Sequence, residues 1–194
     1  MVKPDVVIAL HEEQLSYVSE KIQQILAASV RPEHYFETHA FAFDEYCISH
    51  RGHCGYCCTK DGKEIWDFLG KAYLYTEIFR WKNRVFFGTA GYGGYFYVLD
   101  IDTGEVLIAV KTGGTASIAQ KDNLCYFSSK SNKRNTSKIL CVDLQDVRIV
   151  DEIEVHGEVT PESKLQIIGS QIHAVTFVQR NGRCINAIWN VVEM

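Results

Sequence analysis

Hydrophobic and polar residues alternate along most of the chain from about residue 38 onward. Alternation with a period of two is typical of strands that bury one face. Several pairs of such segments flank a two-residue polar turn, which predicts tight antiparallel hairpins. The turns are Asp44-Glu45, Lys82-Asn83, Asp122-Asn123 and Gly169-Ser170. The pattern therefore predicts a mainly β protein built from repeated hairpins.

A longer unit is visible between Arg84 and Lys111. An apolar run at 85–89 precedes a glycine-rich loop at 91–94, and aromatic and aliphatic residues follow at 95–99. Residues 100–104, DIDTG, form a tight turn whose last residue, Gly104, suits a left-handed backbone conformation. With a third strand at 105–110, the stretch predicts an antiparallel meander.

This meander resembles the repeat of quinoprotein-type (PQQ-like) β-propellers. Residues 98–107, VLDIDTGEVL, are similar to the Asp-x-x-Thr-Gly turn and flanking strands of that repeat. Residues 59–66, TKDGKEIW, keep the turn glycine and the Trp that often ends the next strand, and residues 140–149, LCVDLQDVRI, keep the strands and the Asp. If Thr59, Asp100 and Asp143 are equivalent, the periods are 41 and 43 residues, as expected of four-stranded blades.

The resemblance implies a propeller-like array of about four antiparallel blades over residues 38–194. The blades are expected at about 38–70, 74–111, 115–156 and 164–194. The last blade lacks an obvious fourth strand, which residues 5–10 or 38–43 would supply. Otherwise the array stays open and exposes a sheet edge, which the N-terminal helix or a second copy of the chain would cover.

Residues 1–37 are predicted to form an N-terminal amphipathic α-helix and a linker. Apolar residues recur every three or four positions, which places them on one helix face; they are Leu15, Val18, Ile22, Ile25 and Leu26. Pro32 ends the pattern, because its ring disfavours a helical conformation at the preceding residue. Residues 6–10 fit either a helix or a strand. We expect the apolar face to dock on the β domain.

Composition excludes several classes of function. The formal net charge is −4, and the basic residues Lys130, Lys133, Arg134 and Lys138 are interleaved with Ser, Asn and Thr. We interpret them as a solvated hairpin loop and expect no nucleic-acid partner. No apolar run approaches the roughly 20 residues of a membrane span. The absence of a secretory signal after Met1 and the odd count of 7 cysteines favour reduced thiols in a cytoplasmic protein.

The stretch from His50 to Cys58 contains the residue types that bind zinc. His50, His53, Cys54 and Cys57 are the candidate ligands of a zinc-dependent module. Strand alternation opposes this hypothesis, because residues three apart on a strand point to opposite faces. Buried thiols and loop histidines explain the same residues without a metal.

Redox and quinone chemistry are not expected here. Thioredoxin-like dithiols lie at a helix N-terminus, and no helix is predicted after Cys57. The adjacent pair Cys57-Cys58 resembles the vicinal disulfide of some quinoprotein dehydrogenases, but the rest of that site is not recognisable. No cofactor is therefore predicted.

Nucleophilic catalysis would need Cys54 or Cys125 to pair with His156 or His173. No glycine-flanked nucleophile turn supports such a pair. The glycine-rich loop at 91–94 is not followed by a predicted helix, as a phosphate-binding loop would be. We predict no catalytic residues, and a small-molecule-binding or hydrolytic enzyme with its site at the channel mouth is kept as the alternative.

The remaining candidate function is protein binding through loops. The loops expected at one end of the blades contain residues 50–54, 91–94 and 129–137. They bring together residue types that interfaces favour; the candidates are Arg51, His53, Tyr56, Tyr92, Tyr95 and Arg134. The sequence therefore favours a non-enzymatic protein-interaction or regulatory module, whose partner is another protein or a second copy of the chain.

Overall fold

The computed structural model describes residues 6–9, 40–52, 54–90, 93–115, 117–160, 163–180 and 183–194. Within these residues the regular secondary structure is entirely β strand, so the prediction of a mainly β chain is confirmed. The N-terminal helix predicted from residue 15 onward lies outside the described residues.

The strands are β1 (Val6–Ala9), β2 (Ala40–Phe43), β3 (Tyr46–Arg51), β4 (Gly55–Lys60), β5 (Lys63–Leu69), β6 (Tyr73–Leu74), β7 (Phe79–Trp81), β8 (Arg84–Ala90), β9 (Tyr95–Asp100), β10 (Val106–Lys111), β11 (Ile118–Lys121), β12 (Leu124–Lys130), β13 (Thr136–Asp143), β14 (Arg148–His156), β15 (Lys164–Ile168), β16 (Gln171–Arg180) and β17 (Arg183–Glu193).

The chain divides into two compact units. The first unit, residues 32–115 with 144–148, contains the sheet β2-β3-β4-β5 and the sheet β10-β9-β8-β6, in which β7 also pairs with β8. The second unit, residues 1–31, 116–143 and 149–194, contains the sheets β11-β12-β13-β14 and β1-β17-β16-β15. Neighbouring strands in each sheet follow one another along the chain, except where β6 pairs with β8 and where β1 pairs with β17.

The predicted hairpin turns are confirmed. They join β2 to β3, β7 to β8, β11 to β12 and β15 to β16. The first residue of each turn has a positive φ, between 51° and 63°. Aspartate and glycine, which stand at three of these four positions, tolerate this conformation better than most residues and favour the reversal there, whereas Lys82 adopts it at the fourth.

The last sheet is completed by the N-terminal segment. Sequence analysis left two candidates for its fourth strand, residues 5–10 and residues 38–43. The fourth strand is β1, in which Val6 pairs with Trp189 and Ala9 with Asn186 in antiparallel register. An edge of β17 that would otherwise be unpaired is thereby hydrogen-bonded.

Trp66 couples the two sheets of the first unit. Its indole Nε1 donates a hydrogen bond to the carbonyl oxygen of Ile101 at 2.7 Å. The ring lies directly over Gly104, where φ is +72° and an added Cβ would come within 2.7 Å of the indole Cγ. The turn beneath it is fixed by Asp100, whose Oδ1 accepts hydrogen bonds from the backbone of Asp102 and Thr103. Only glycine satisfies both the backbone and the contact.

The corresponding turn after Asp143 keeps this backbone without the glycine. Val147 stands four residues after Asp143, as Gly104 stands four residues after Asp100, and its φ is +53°. A β-branched residue is strained in the left-handed region, because its Cβ crowds the backbone. The two turns thus share a left-handed backbone at this position, although one has valine where glycine is favoured.

Tyr56 lies in the core of the first unit with 1% of its surface exposed. Its ring lies 4.8 Å from that of Phe87 and 5.9 Å from that of Phe68, centroid to centroid. Burial raises the pKa of Tyr56 far above its ordinary value. Within the described part of the chain its hydroxyl has no hydrogen-bond partner. A buried hydroxyl without a partner lowers stability.

We predict that Val147→Gly stabilises the protein. Relief of left-handed strain is worth roughly 1–2 kcal/mol, and the added flexibility of glycine in the unfolded chain costs about 0.5–1 kcal/mol. The free energy of unfolding, measured by urea denaturation, should therefore rise by about 0.5–1 kcal/mol. Gly104→Ala is the matched opposite change and should lower it by about 2–4 kcal/mol, since strain and the clash with Trp66 add. An unchanged midpoint for both variants would contradict this account of the turns.

We also predict that Tyr56→Phe raises the free energy of unfolding by about 1 kcal/mol, because it removes a buried hydroxyl that lacks a partner. The control is Tyr97→Phe. The Tyr97 hydroxyl accepts a hydrogen bond from the backbone of Lys71 at 3.0 Å, so its removal should destabilise by about 1 kcal/mol. The prediction fails if the two variants shift the urea midpoint in the same direction.

Candidate functional site

The loops that sequence analysis singled out occupy equivalent places in their sheets. They contain residues 52–54, 91–94 and 131–135, and each joins the second strand of its sheet to the third. The residues predicted to bind a partner do not share one environment, however. His53 and Tyr92 lie outside the described residues.

Arg51 and Tyr95 are anchored within the first unit. The guanidinium of Arg51 lies at the end of β3, forms an ion pair with Glu64 at 2.7 Å and donates to the Cys57 sulfur at 3.5 Å. The ring of Tyr95 stacks on that of Tyr97, with the ammonium of Lys71 5.4 Å above it. Tyr56, by contrast, is buried in the core, so its side chain cannot contact a partner directly.

The register of β3 and β4 separates two of the candidate zinc ligands. His50 pairs with Tyr56, and their rings meet edge to face at 5.5 Å. Cys57 pairs with Ser49 and points to the opposite face, toward Arg51. Cys54 lies in the turn before β4, and His53 is outside the described residues. No group of three or more potential ligands occurs among the residues described, and the zinc hypothesis stays a prediction that elemental analysis would test.

The buried thiols of β4, β12 and β13 have raised pKa values and are not activated. Burial, followed by a hydrogen bond to Glu64, raises the pKa of Cys57, although the charge of Arg51 opposes the shift. Burial also raises the pKa of Cys58 to about 11 and that of Cys125 well above its ordinary value. A nucleophilic cysteine needs the opposite shift, because the thiolate is the reactive form. Cys125 therefore does not suit the hydrolase role considered from the sequence.

A cluster of Tyr46, Lys60 and Asp102 has the composition of an acid–base site. The ammonium of Lys60 donates to the Tyr46 hydroxyl oxygen at 2.6 Å, and that hydroxyl donates to the Asp102 carboxylate. The hydrogen bond to Asp102 raises the pKa of Tyr46, although the bond from Lys60 opposes the shift; the bond to Tyr46 raises the pKa of Lys60, and the bond from Tyr46 lowers that of Asp102. Each group is thus held in the charge state it has near neutral pH. A general acid or base needs a pKa near the working pH, so the cluster better suits a structural link between the two sheets.

The second unit contains an open cleft of about 400 Å³ beside the β12–β13 loop. One wall contains the cations Lys130, Lys133 and Arg134, and the other contains the segment from Glu158 to Thr160. Apart from Val159, the lining side chains are polar or charged. This volume lies within the range of ligand-binding pockets.

The loop that forms the cationic wall is held by its own hydrogen bonds. The backbone N–H of Lys133 donates to the Ser131 hydroxyl at 3.1 Å, and the Thr136 hydroxyl donates to the Lys133 carbonyl at 2.8 Å. Asn135 has a φ of +57°, and its N–H donates to the Glu158 carboxylate at 3.4 Å. These bonds fix the loop against the opposite wall before any ligand arrives.

The three cations of the cleft differ in their partners. The ammonium of Lys133 contacts both carboxylate oxygens of Glu154, at 2.9 and 3.1 Å, and this bond lowers the pKa of Glu154. Lys130 and Arg134 are exposed, and neither forms an ion pair with any residue that the structure describes. Lys130 and Arg134 therefore bring two positive charges to the cleft that no ion pair with a described residue neutralises. Glu158 brings a negative charge to the opposite wall.

Sequence analysis placed Arg134 among the partner-binding residues but missed the cleft. It treated the basic residues as a solvated hairpin loop, because the opposite wall lies more than twenty residues further along the chain. The left-handed Asn135 and the Ser and Thr residues around it were the available sign of a structured loop.

No family model and no curated protein matches the chain. Among the described residues there is no helix long and apolar enough to cross a membrane.

Solved structures do resemble it. The computationally designed Ika4 protein is 15% identical, with a TM-score of 0.56, over 82% of this chain and 95% of its own. BamB from Moraxella catarrhalis is 12% identical, with a TM-score of 0.53, over 80% of this chain and 43% of its own. The dihydro-heme d1 dehydrogenase NirN is 13% identical, with a TM-score of 0.52, over 87% of this chain and 40% of its own.

The chain spans less than half the length of BamB and NirN, both of which are β-propeller proteins. Identities this low bear on the backbone and not on the function. The structural similarities and the four antiparallel sheets together show that the chain has a propeller-like fold.

Proposed function

We propose that this chain is a non-enzymatic protein-interaction or regulatory module, with the cleft beside the β12–β13 loop as its contact site. The observation that carries the proposal is a structured, solvent-facing loop that holds an exposed arginine over an open cleft. Arginine is enriched at protein interfaces because its guanidinium combines several directed donors with a flat apolar surface.

The chemistry of the described residues favours binding over catalysis. The Tyr46, Lys60 and Asp102 cluster is held in its ordinary charge states, and the buried thiols have raised pKa values. The cleft contains hydroxyls, amides and cations but, among the residues that line it, neither a histidine nor a cysteine. Such a lining can hold a polar segment of another protein without reacting with it.

We further propose that the sheets are blades of the PQQ-like repeat type, serving here as a scaffold. The docking of Trp66 on the turn glycine of the following repeat supports this proposal. Propeller folds host binding and catalytic functions alike, so the repeat type supports the scaffold and leaves the function to the cleft.

Site-specific photocrosslinking in native cells would test the proposal. A photoreactive amino acid at position 132, an exposed position that lines the cleft, should yield a discrete crosslinked protein band and leaves Arg134 in place. The control is position 122 in the β11–β12 turn, because β12 separates this turn from the cleft loop and places it at the opposite end of the same sheet. Equal labelling from both positions, or none from position 132, would exclude the cleft as the contact site.

A second copy of the chain is distinguished from another protein by mass. If the partner is a second copy, the crosslinked band from position 132 would have twice the mass of the chain, and the purified protein would give it at concentrations where sedimentation shows a dimer. A band of any other mass would indicate a different partner.

A further inference from the structure

We infer that the cleft binds an acidic segment of the partner, whose carboxylates pair with Arg134 and Lys130. This inference rests on the proposed interaction function and names the chemistry of its ligand. It starts from the distribution of charge in the cleft, where two of the three cations are exposed and form no ion pair with a described residue, while Glu158 is the one acidic residue among the described residues that line it.

Arg134 is placed to act as the main contact. It precedes Asn135, whose left-handed backbone and hydrogen bond to Glu158 fix the loop at this point. A guanidinium presents paired N–H groups in a plane, which match the two oxygens of a carboxylate. Since the backbone beside it is already ordered, binding need not order the loop as well.

Lys130 supplies the second positive charge from the end of β12. Lys133, between the two in sequence, is already paired with Glu154 and stabilises the loop instead of offering a free charge. An incoming segment with two or more acidic side chains would thus meet Arg134 and Lys130 on the same wall. Attraction between these groups would weaken as salt concentration rises, because the cleft is open to solvent.

Two hydroxyl groups of the cleft are already engaged in hydrogen bonds. The Thr136 hydroxyl donates its proton to the Lys133 carbonyl, and the Ser137 hydroxyl donates to the Gly157 carbonyl at 2.7 Å. These protons are therefore not available to a ligand, and among the described lining residues Arg134 and Lys130 are the cationic donors without an ion pair. Among the described residues that line the cleft, Val159 is the one with an apolar side chain.

The negative charge of Glu158 lowers the affinity of the cleft for an acidic ligand. Its carboxylate lines the cleft and accepts the N–H of Asn135, so it supports the loop while repelling an acidic ligand. Replacement by glutamine keeps an acceptor oxygen and removes the charge. The inference therefore predicts opposite effects of Glu158→Gln and Arg134→Ala on the same ligand.

Fluorescence anisotropy with the purified full chain would test the inference. The probe is a labelled peptide of eight glutamates, compared with the same peptide made of glutamines. We expect the glutamate peptide to bind and the glutamine peptide not to bind. Arg134→Ala should weaken binding about five- to tenfold and Glu158→Gln should strengthen it about threefold, in line with the energies of interfacial charges. Lys121→Ala, an exposed cation at the other end of the sheet, is the matched control and should change little.

Equal binding of the two peptides, or equal effects of Arg134→Ala and Lys121→Ala, would overturn the inference. Binding of inorganic phosphate, measured by calorimetry, with no binding of the glutamate peptide would also overturn it, since the cleft would then be a small-anion site. If crosslinking from position 132 persists while the glutamate peptide fails to bind, the acidic ligand is wrong and the interaction function stands. If the peptide binds while crosslinking fails, the cleft recognises acidic segments but the proposed cellular function falls.

Discussion

The antiparallel register of the strands is the constraint on which the rest of this structure depends. Once His50 is paired with Tyr56, alternate residues of β3 and β4 lie on opposite faces of the sheet. Cys58 and Tyr56 are buried with the core, whereas Cys57 meets Arg51 on the other side. The histidine and cysteine residues between His50 and Cys58 resemble a metal site in sequence, but the register divides them between the two faces of a sheet.

A second level of organisation comes from the turns that follow the third strand of each repeat. Trp66 covers Gly104 and hydrogen-bonds the turn that contains it, so one sheet of the first unit is fastened to the next. The turn at Val147 keeps the same left-handed backbone with an unsuitable residue. The surrounding pairing therefore dictates the backbone there, and the side chain accepts the strain.

The cleft of the second unit shows how such a scaffold can present a binding surface. The strands hold their connecting loops at fixed separations, and the loop after β12 adds its own hydrogen bonds to Ser131 and Thr136. These hydrogen bonds fix the loop that carries the charged residues beside the cleft. Loops of this kind can change without disturbing the sheet beneath them, because few of their side chains reach the core.

The sequence by itself determined the strands and where they reverse, since alternation and turn residues such as Asp44 and Gly169 act over a few neighbouring positions. It left open which of two segments completes the last sheet, and the pairing of residues 6–9 with β17 decided that. It placed Tyr56 at a surface, although the first four residues of β4 are all buried, because none of those four is charged and marks an exposed face. It also missed the cleft, whose walls are joined only when distant residues meet. Local chemistry thus decides secondary structure, whereas burial and sites depend on contacts between residues far apart in the chain.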